Sequence, residues 1–250
     1  MSRTLLLAGK ALRQQVRDPL SAALTLLTPA TLVVAFRLLL AEGASPSFSD
    51  LLPSLLIFAA IMQVFHASLS LAREKEAGTL ERVAMTGVRP RHLVAAAALL
   101  HGAVALLTLG ITLITARVVG FVPQGSTGAA LGALLLCATA CAGLGMVIGA
   151  LARSAAQAFV IASASMFVLL LLSGLLFPLP EATWWRGDGW GVGPLDLLPT
   201  VHTLRLVAGI LGAGALWTSL ADAWLALTLL CALFVTAGVW ALGRSARNYS

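Results

Sequence analysis

The sequence predicts an all-α membrane protein with six transmembrane helices, and three observations predict it. Of its 250 residues, 59% are hydrophobic and only 10% are charged, against about a quarter charged in soluble domains. The mean hydropathy is +0.96, so a soluble globule of this size could not hide its apolar surface. The apolar residues also fall in runs that match the ~20 residues needed to cross a bilayer. These runs lie near residues 20–41, 51–72, 93–116, 127–151, 156–177 and 221–243. The whole chain, 1–250, reads as a single transmembrane domain with no soluble domain of its own.

Residues 2–18 precede the first run. Leu5, Ala8, Leu12 and Val16 recur at helical spacing, with Arg3, Lys10, Arg13 and Arg17 largely off that stripe. A basic amphipathic helix of this kind lies in the headgroup plane, held by anionic lipid. Pro19 then turns the chain into the bilayer. No cleavable signal peptide stands out, because the first apolar run is too long for a signal core. A short polar loop, Glu42 to Asp50, separates the first two spans, and Asp50 is suited to cap the second. Residues 73–92 form the longest charged segment. Arg153 marks a tight turn between spans four and five.

Residues 178–220 differ from the rest. Pro178, Pro180, Trp184, Trp185, Arg186, Asp188, Trp190 and several glycines precede a short, interrupted apolar stretch. Charge decides how it crosses, since Lys and Arg stay on the cytoplasmic side. With six spans and the N-terminus inside, twelve of the sixteen Lys and Arg residues are cytoplasmic; only Arg37, Arg117, Arg186 and Arg205 fall near or beyond the outer face. A seventh span would throw Arg244 and Arg247 outside. The expectation is therefore a multi-pass protein of the cell (inner) membrane with both termini cytoplasmic. Residues 178–220 are then an outer re-entrant helical hairpin between spans five and six. The net charge of +6 is accounted for by this sidedness, and no nucleic-acid partner is expected.

Polar groups at membrane depth mark pathways or helix contacts. Gln63, His66 and Ser70 recur at i, i+3, i+7 on the second span, and His101 lies about two turns into the third. They are candidates for a substrate route, with interhelical hydrogen bonding as the alternative. His66 and His101 lack the spacing of a metal site, and no metal is expected. Cys137, Cys141 and Cys231 sit in apolar runs and read as small packing residues. Gly128-x-x-x-Gly132 and Gly145-x-x-x-Gly149 allow helices to approach closely. The carboxylates lie at span ends or in loops, so no convergent catalytic set is seen and the chain is not expected to be an enzyme.

The most informative segment begins Arg73-Glu74-Lys75-Glu76-Ala77-Gly78-Thr79-Leu80-Glu81-Arg82. Gly78 can end the second span because it accepts positive backbone angles. Thr79 can cap a short new helix, with Glu81 near its positive end. This Arg-Glu-x-Glu-x-Gly-Thr-x-Glu pattern resembles the signature loop of ABC type 2 exporter permeases. The resemblance continues at Ser173-Gly-Leu-Leu-Phe-Pro178 and at Pro199-Thr-Val-His-Thr-Leu-Arg205, and it covers almost the whole chain. Thr86 is followed by Gly87 where the family often has Thr-Pro.

The resemblance implies a dimer of six-span units, homodimer preferred over heterodimer, each docked on a separate cytoplasmic ABC ATPase. Residues 2–18 would be the connecting helix. The loop with Glu74, Glu76, Gly78, Thr79, Glu81 and Arg82 would be the coupling segment, and the turn at Arg153 a second contact. ATP and Mg would belong to the partner ATPase, and no cofactor to this chain. In agreement, the sequence contains no Gly-x-x-x-x-Gly-Lys-Ser/Thr phosphate cradle. The substrate expected from the apolar surroundings is a lipid, glycolipid or hydrophobic drug moved outward. The alternatives are a haem-exporter-like permease of cytochrome maturation and a non-transporting membrane scaffold.

Overall fold

The computed structural model describes residues 19–40, 47–78, 90–174, 185–187 and 190–247. Among these described residues, seven α-helices dominate: α1 (Pro19–Leu39), α2 (Phe48–Glu76), α3 (Pro90–Val118), α4 (Thr127–Leu151), α5 (Ala155–Leu172), α6 (Pro199–Val207) and α7 (Ala221–Arg247). A ribbon of two three-residue antiparallel strands, β1 (Trp185–Gly187) and β2 (Trp190–Val192), pairs Trp185 with Val192 and Gly187 with Trp190. The leading segment 2–18 lies outside the described residues.

Five helical stretches are long and apolar enough to cross a membrane: Phe48–Glu76, Ala97–Val118, Thr127–Leu151, Ala155–Leu172 and Trp217–Arg244. The apolar part of α1, Ala23–Leu39, is shorter. All six lie where the apolar runs predict helices. α5 buries only Ala158, Ala162 and Leu169, while Phe159, Val160, Phe167 and Val168 are exposed. Such an apolar outer face belongs in lipid or against another subunit.

Local chemistry sets the helix ends. Ser47, not Asp50, is the N-cap of α2. The two form a capping box, in which Asp50 accepts hydrogen bonds from the Ser47 N–H and hydroxyl at 2.9 and 2.7 Å. α2 ends at Gly78, whose φ of 63° is the left-handed conformation its lack of Cβ allows. The charged segment therefore does not begin as a loop at residue 73. Arg73 to Glu76 are still in α2, and Pro90 already opens α3.

α4 is the centre of the bundle, with α2 on one side and α7 on the other. Its buried residues are mostly Ala, Gly and Cys. In lipid, helices associate by close packing rather than by the hydrophobic effect, so small residues at the contact matter. A Cβ on Gly145 would stand 2.4 Å from the Val64 carbonyl oxygen, and one on Gly149 2.6 Å from that of Ser68. On the opposite side, a Cβ on Gly143 would stand 2.6 Å from the Phe234 oxygen. The expected Gly128 and Gly132 approach is not found: Gly132 faces only the Trp224 ring at 3.6 Å, and the nearest neighbour of Gly128 is the Ser126 hydroxyl at 3.9 Å. Cys137, Cys141 and Cys231 are buried free thiols within this packing.

The segment before α7 runs from a 3₁₀ turn (Pro194–Leu197) through α6 into a π turn (Ala208–Gly212) and a second 3₁₀ turn (Trp217–Leu220). Leu206, Val207, Ile210 and Leu211 are fully buried. The Gln124 N–H donates to the Leu211 oxygen at 2.9 Å. This irregular backbone is thus sheltered by protein.

Candidate functional site

The helices alternate in direction, so their charged ends collect on two faces. At one face lie the end of α2, the α4–α5 turn and Arg244 near the end of α7. At the other, Arg37 donates to the Val119 oxygen at 3.2 Å. There too Arg117 donates to the Thr127 hydroxyl at 2.6 Å, and Arg205 pairs with Asp222 at 3.4 Å.

On the first face, the expected coupling residues and the expected second contact meet. Glu76 accepts a hydrogen bond from the Ala155 N–H, the first residue of α5, at 2.7 Å. Lys75 donates to three carbonyl oxygens at the end of α4: Ala150 at 2.7 Å, Ala152 at 2.8 Å and Gly149 at 3.3 Å. Arg153 is exposed, and its N–H donates to the Gln157 side chain at 2.7 Å. Ser154 caps α5 by accepting from the Gln157 N–H at 3.1 Å. Glu74 is half-buried one residue before Lys75. Thr79, Glu81 and Arg82 lie outside the described residues.

Beside this face is a cleft of about 700 Å³ between α1, α2, α3 and α5. His66, Ser70 and His101 line it. Gln63 does not. Its side chain is 1% exposed, and neither amide atom has a hydrogen-bond partner among the described residues. Successive residues of a helix stand about 100° apart, so Gln63 falls on the arc between Ser70 and Glu74, both of which line the cleft. About two turns from Ser70 along α2, that arc is buried at Gln63.

Aromatic and thioether side chains complete the lining. Phe65 packs edge-on to His66 (centroids 5.9 Å) and to Phe159 of α5 (5.2 Å), closing one wall. Met62 and Met166 add adaptable thioethers. Thr25, Thr28 and Ser163 supply hydroxyls. Among the described residues, the charged side chains that line it, Arg73 and Glu74, stand at the end of α2. Apolar and polar side chains thus share the lining, and the cleft reaches the face where the charged segment emerges.

The family described as ABC-2 type transporter matches residues 3–190, well over half of the chain. The protein belongs to this family, as an ABC type 2 permease. It is therefore a multi-pass membrane permease subunit of an ABC transporter, a kind of subunit that pairs with an ABC ATPase. A search of curated proteins finds no match.

Proposed function

We propose that the chain is the membrane-spanning half of an exporter that moves an amphipathic or hydrophobic substrate outward. The substrate class is a lipid, a glycolipid or a hydrophobic drug. In this reading α1 is a sixth span and both termini are cytoplasmic, in the cell (inner) membrane. The functional unit pairs two permease copies, as a homodimer, with a separate ATPase that holds ATP and Mg.

The cleft is the observation that carries the proposal. Its 700 Å³ is within the ~300–1,000 Å³ of ligand sites. Leu24, Met62, Phe65, Leu100, Phe159 and Met166 offer apolar contact, and burying apolar surface contributes roughly 25 cal/mol per Å². His66, His101, Ser70 and Ser163 can orient a polar head, with Arg73 and Glu74 at the charged end of the cleft. In the mechanism proposed, the ATPase dimer closes and pushes the 73–92 segment. α2 and α5 then move together against α1 and α3, and the cleft shuts inward as it opens outward.

The test uses the permease–ATPase complex in proteoliposomes. Amphipathic compounds and lipids are screened for stimulation of ATP hydrolysis and for transport. Ser163→Trp, which fills the cleft, is expected to abolish stimulation while basal hydrolysis persists. Stimulation unchanged by this substitution would contradict the assignment.

A further inference from the structure

We propose that Lys75 and Glu76 clasp the α4–α5 turn to the end of α2, so that the two ATPase-facing contacts of the permease move as one rigid body. This rests on the permease–ATPase reading and goes beyond it, because that reading treats the two contacts as separate. It also gives Lys75 a role as the positioning residue that joins them.

The geometry is specific to this pair of neighbours. The last carbonyls of a helix and the first N–H groups of the next lack intrahelical partners. At the end of α4, the Ile148 oxygen is taken by the Ala152 N–H at 2.9 Å. The Lys75 ammonium, with three protons to donate, meets the Gly149, Ala150 and Ala152 oxygens. One residue on, the Glu76 carboxylate takes the first N–H of α5. A cation thus sits at the negative end of α4 and an anion at the positive end of α5, each with the sign the helix dipole favours. Adjacent residues of α2 hold both sides of one turn.

The packing beneath leaves little room for independent movement. Ala72 of α2 clusters with Ala152 and Ala158, all at most 2% exposed. Four residues earlier, the bare Gly149 backbone abuts the Ser68 oxygen. A push on the segment after Gly78 therefore reaches α4 and α5 directly, and α5 carries a wall of the cleft.

Two arms test this. In the first, nitroxides at Ala77→Cys and Ala156→Cys, both exposed positions, report their separation by dipolar broadening, with the three native cysteines replaced by alanine. The labelled permease is measured alone, then with its ATPase before and after ATP–vanadate trapping. The broadening is expected to stay the same in every state. In the second arm, Lys75→Met is compared with Lys75→Arg, which can still donate to carbonyls. Lys75→Met is expected to keep the ATPase bound and basal hydrolysis intact while transport per ATP falls about tenfold, and Lys75→Arg to restore it.

A nucleotide-dependent change of broadening in the unsubstituted clasp, or full coupling in Lys75→Met, would overturn the proposal. If Lys75→Met does not fold, the spectroscopic arm decides alone. Absence of any bound ATPase in the wild type would instead count against the permease–ATPase reading.

Discussion

Gly145→Ala is the sharpest test of how the bundle is held. The added Cβ would stand 2.4 Å from the Val64 oxygen, 2.9 Å from the Ala67 Cβ and 3.1 Å from the Ser68 nitrogen. Ordinary contact begins at 3.4 Å, so α2 and α4 must part by about 1 Å. Two of the three obstacles are backbone atoms, which cannot rotate away. Forcing extra atoms into a packed contact costs about 1–3 kcal/mol. Replacing Gly by Ala within a helix returns at most about 1 kcal/mol. Gly132→Ala, on the same helix, has only the Trp224 ring at 3.6 Å to meet and keeps the propensity gain. The assay is thermal unfolding of the two purified variants in one detergent. Gly145→Ala is expected to melt below the wild type and Gly132→Ala at or above it, with about 2 kcal/mol between them. Equal melting of the two variants would refute the close α2–α4 approach.

Further outcomes are expected. Gly78→Val places a branched side chain where φ is 63°; at about 1–2 kcal/mol for a left-handed residue, it should disturb the end of α2 and lower transport per ATP with insertion intact. In the orientation proposed, Arg153→Cys should react with a membrane-impermeant thiol reagent only from the cytoplasmic side and Ser47→Cys only from outside, as both positions are exposed at opposite ends of the bundle. Labelling of both from one side would contradict that topology. The native Cys137 and Cys141, at most 1% exposed, should stay unmodified by maleimide until the protein is denatured, which intact-mass measurement reads directly.

Much of the fold was legible because long apolar runs have few structural options in a bilayer. The helix that ends at Gly78 and the turn at Arg153 both carry local signals, a glycine able to take positive φ and a charged break between apolar runs. Ser154-x-x-Gln157 carries a further cap signal of the Ser-x-x-Gln kind. The partner of a residue was not legible. Lys75 stands in the last turn of α2, where a cation suits its own helix end; only packing shows that it holds the end of α4 instead. Glycine spacing was equally ambiguous. Both Gly-x-x-x-Gly pairs read alike, and only Gly145 and Gly149 face a neighbouring backbone. For the cleft, three of the four polar residues named from sequence line it. Gln63 shares the helical arc of Ser70 and Glu74, but about two turns along α2 that arc is covered by packing, which sequence does not show. The aromatic walls of the cleft could not be told from ordinary core residues by sequence.

The most direct measurement is purification of the tagged permease from membranes in mild detergent, followed by identification of bound subunits and an ATP hydrolysis assay. The account predicts that an ABC ATPase co-purifies with the wild type, hydrolyses ATP in the eluate, and is lost when Glu81→Arg reverses charge in the docking segment. A well-folded, monodisperse permease that brings down no ATPase under several gentle conditions would contradict it.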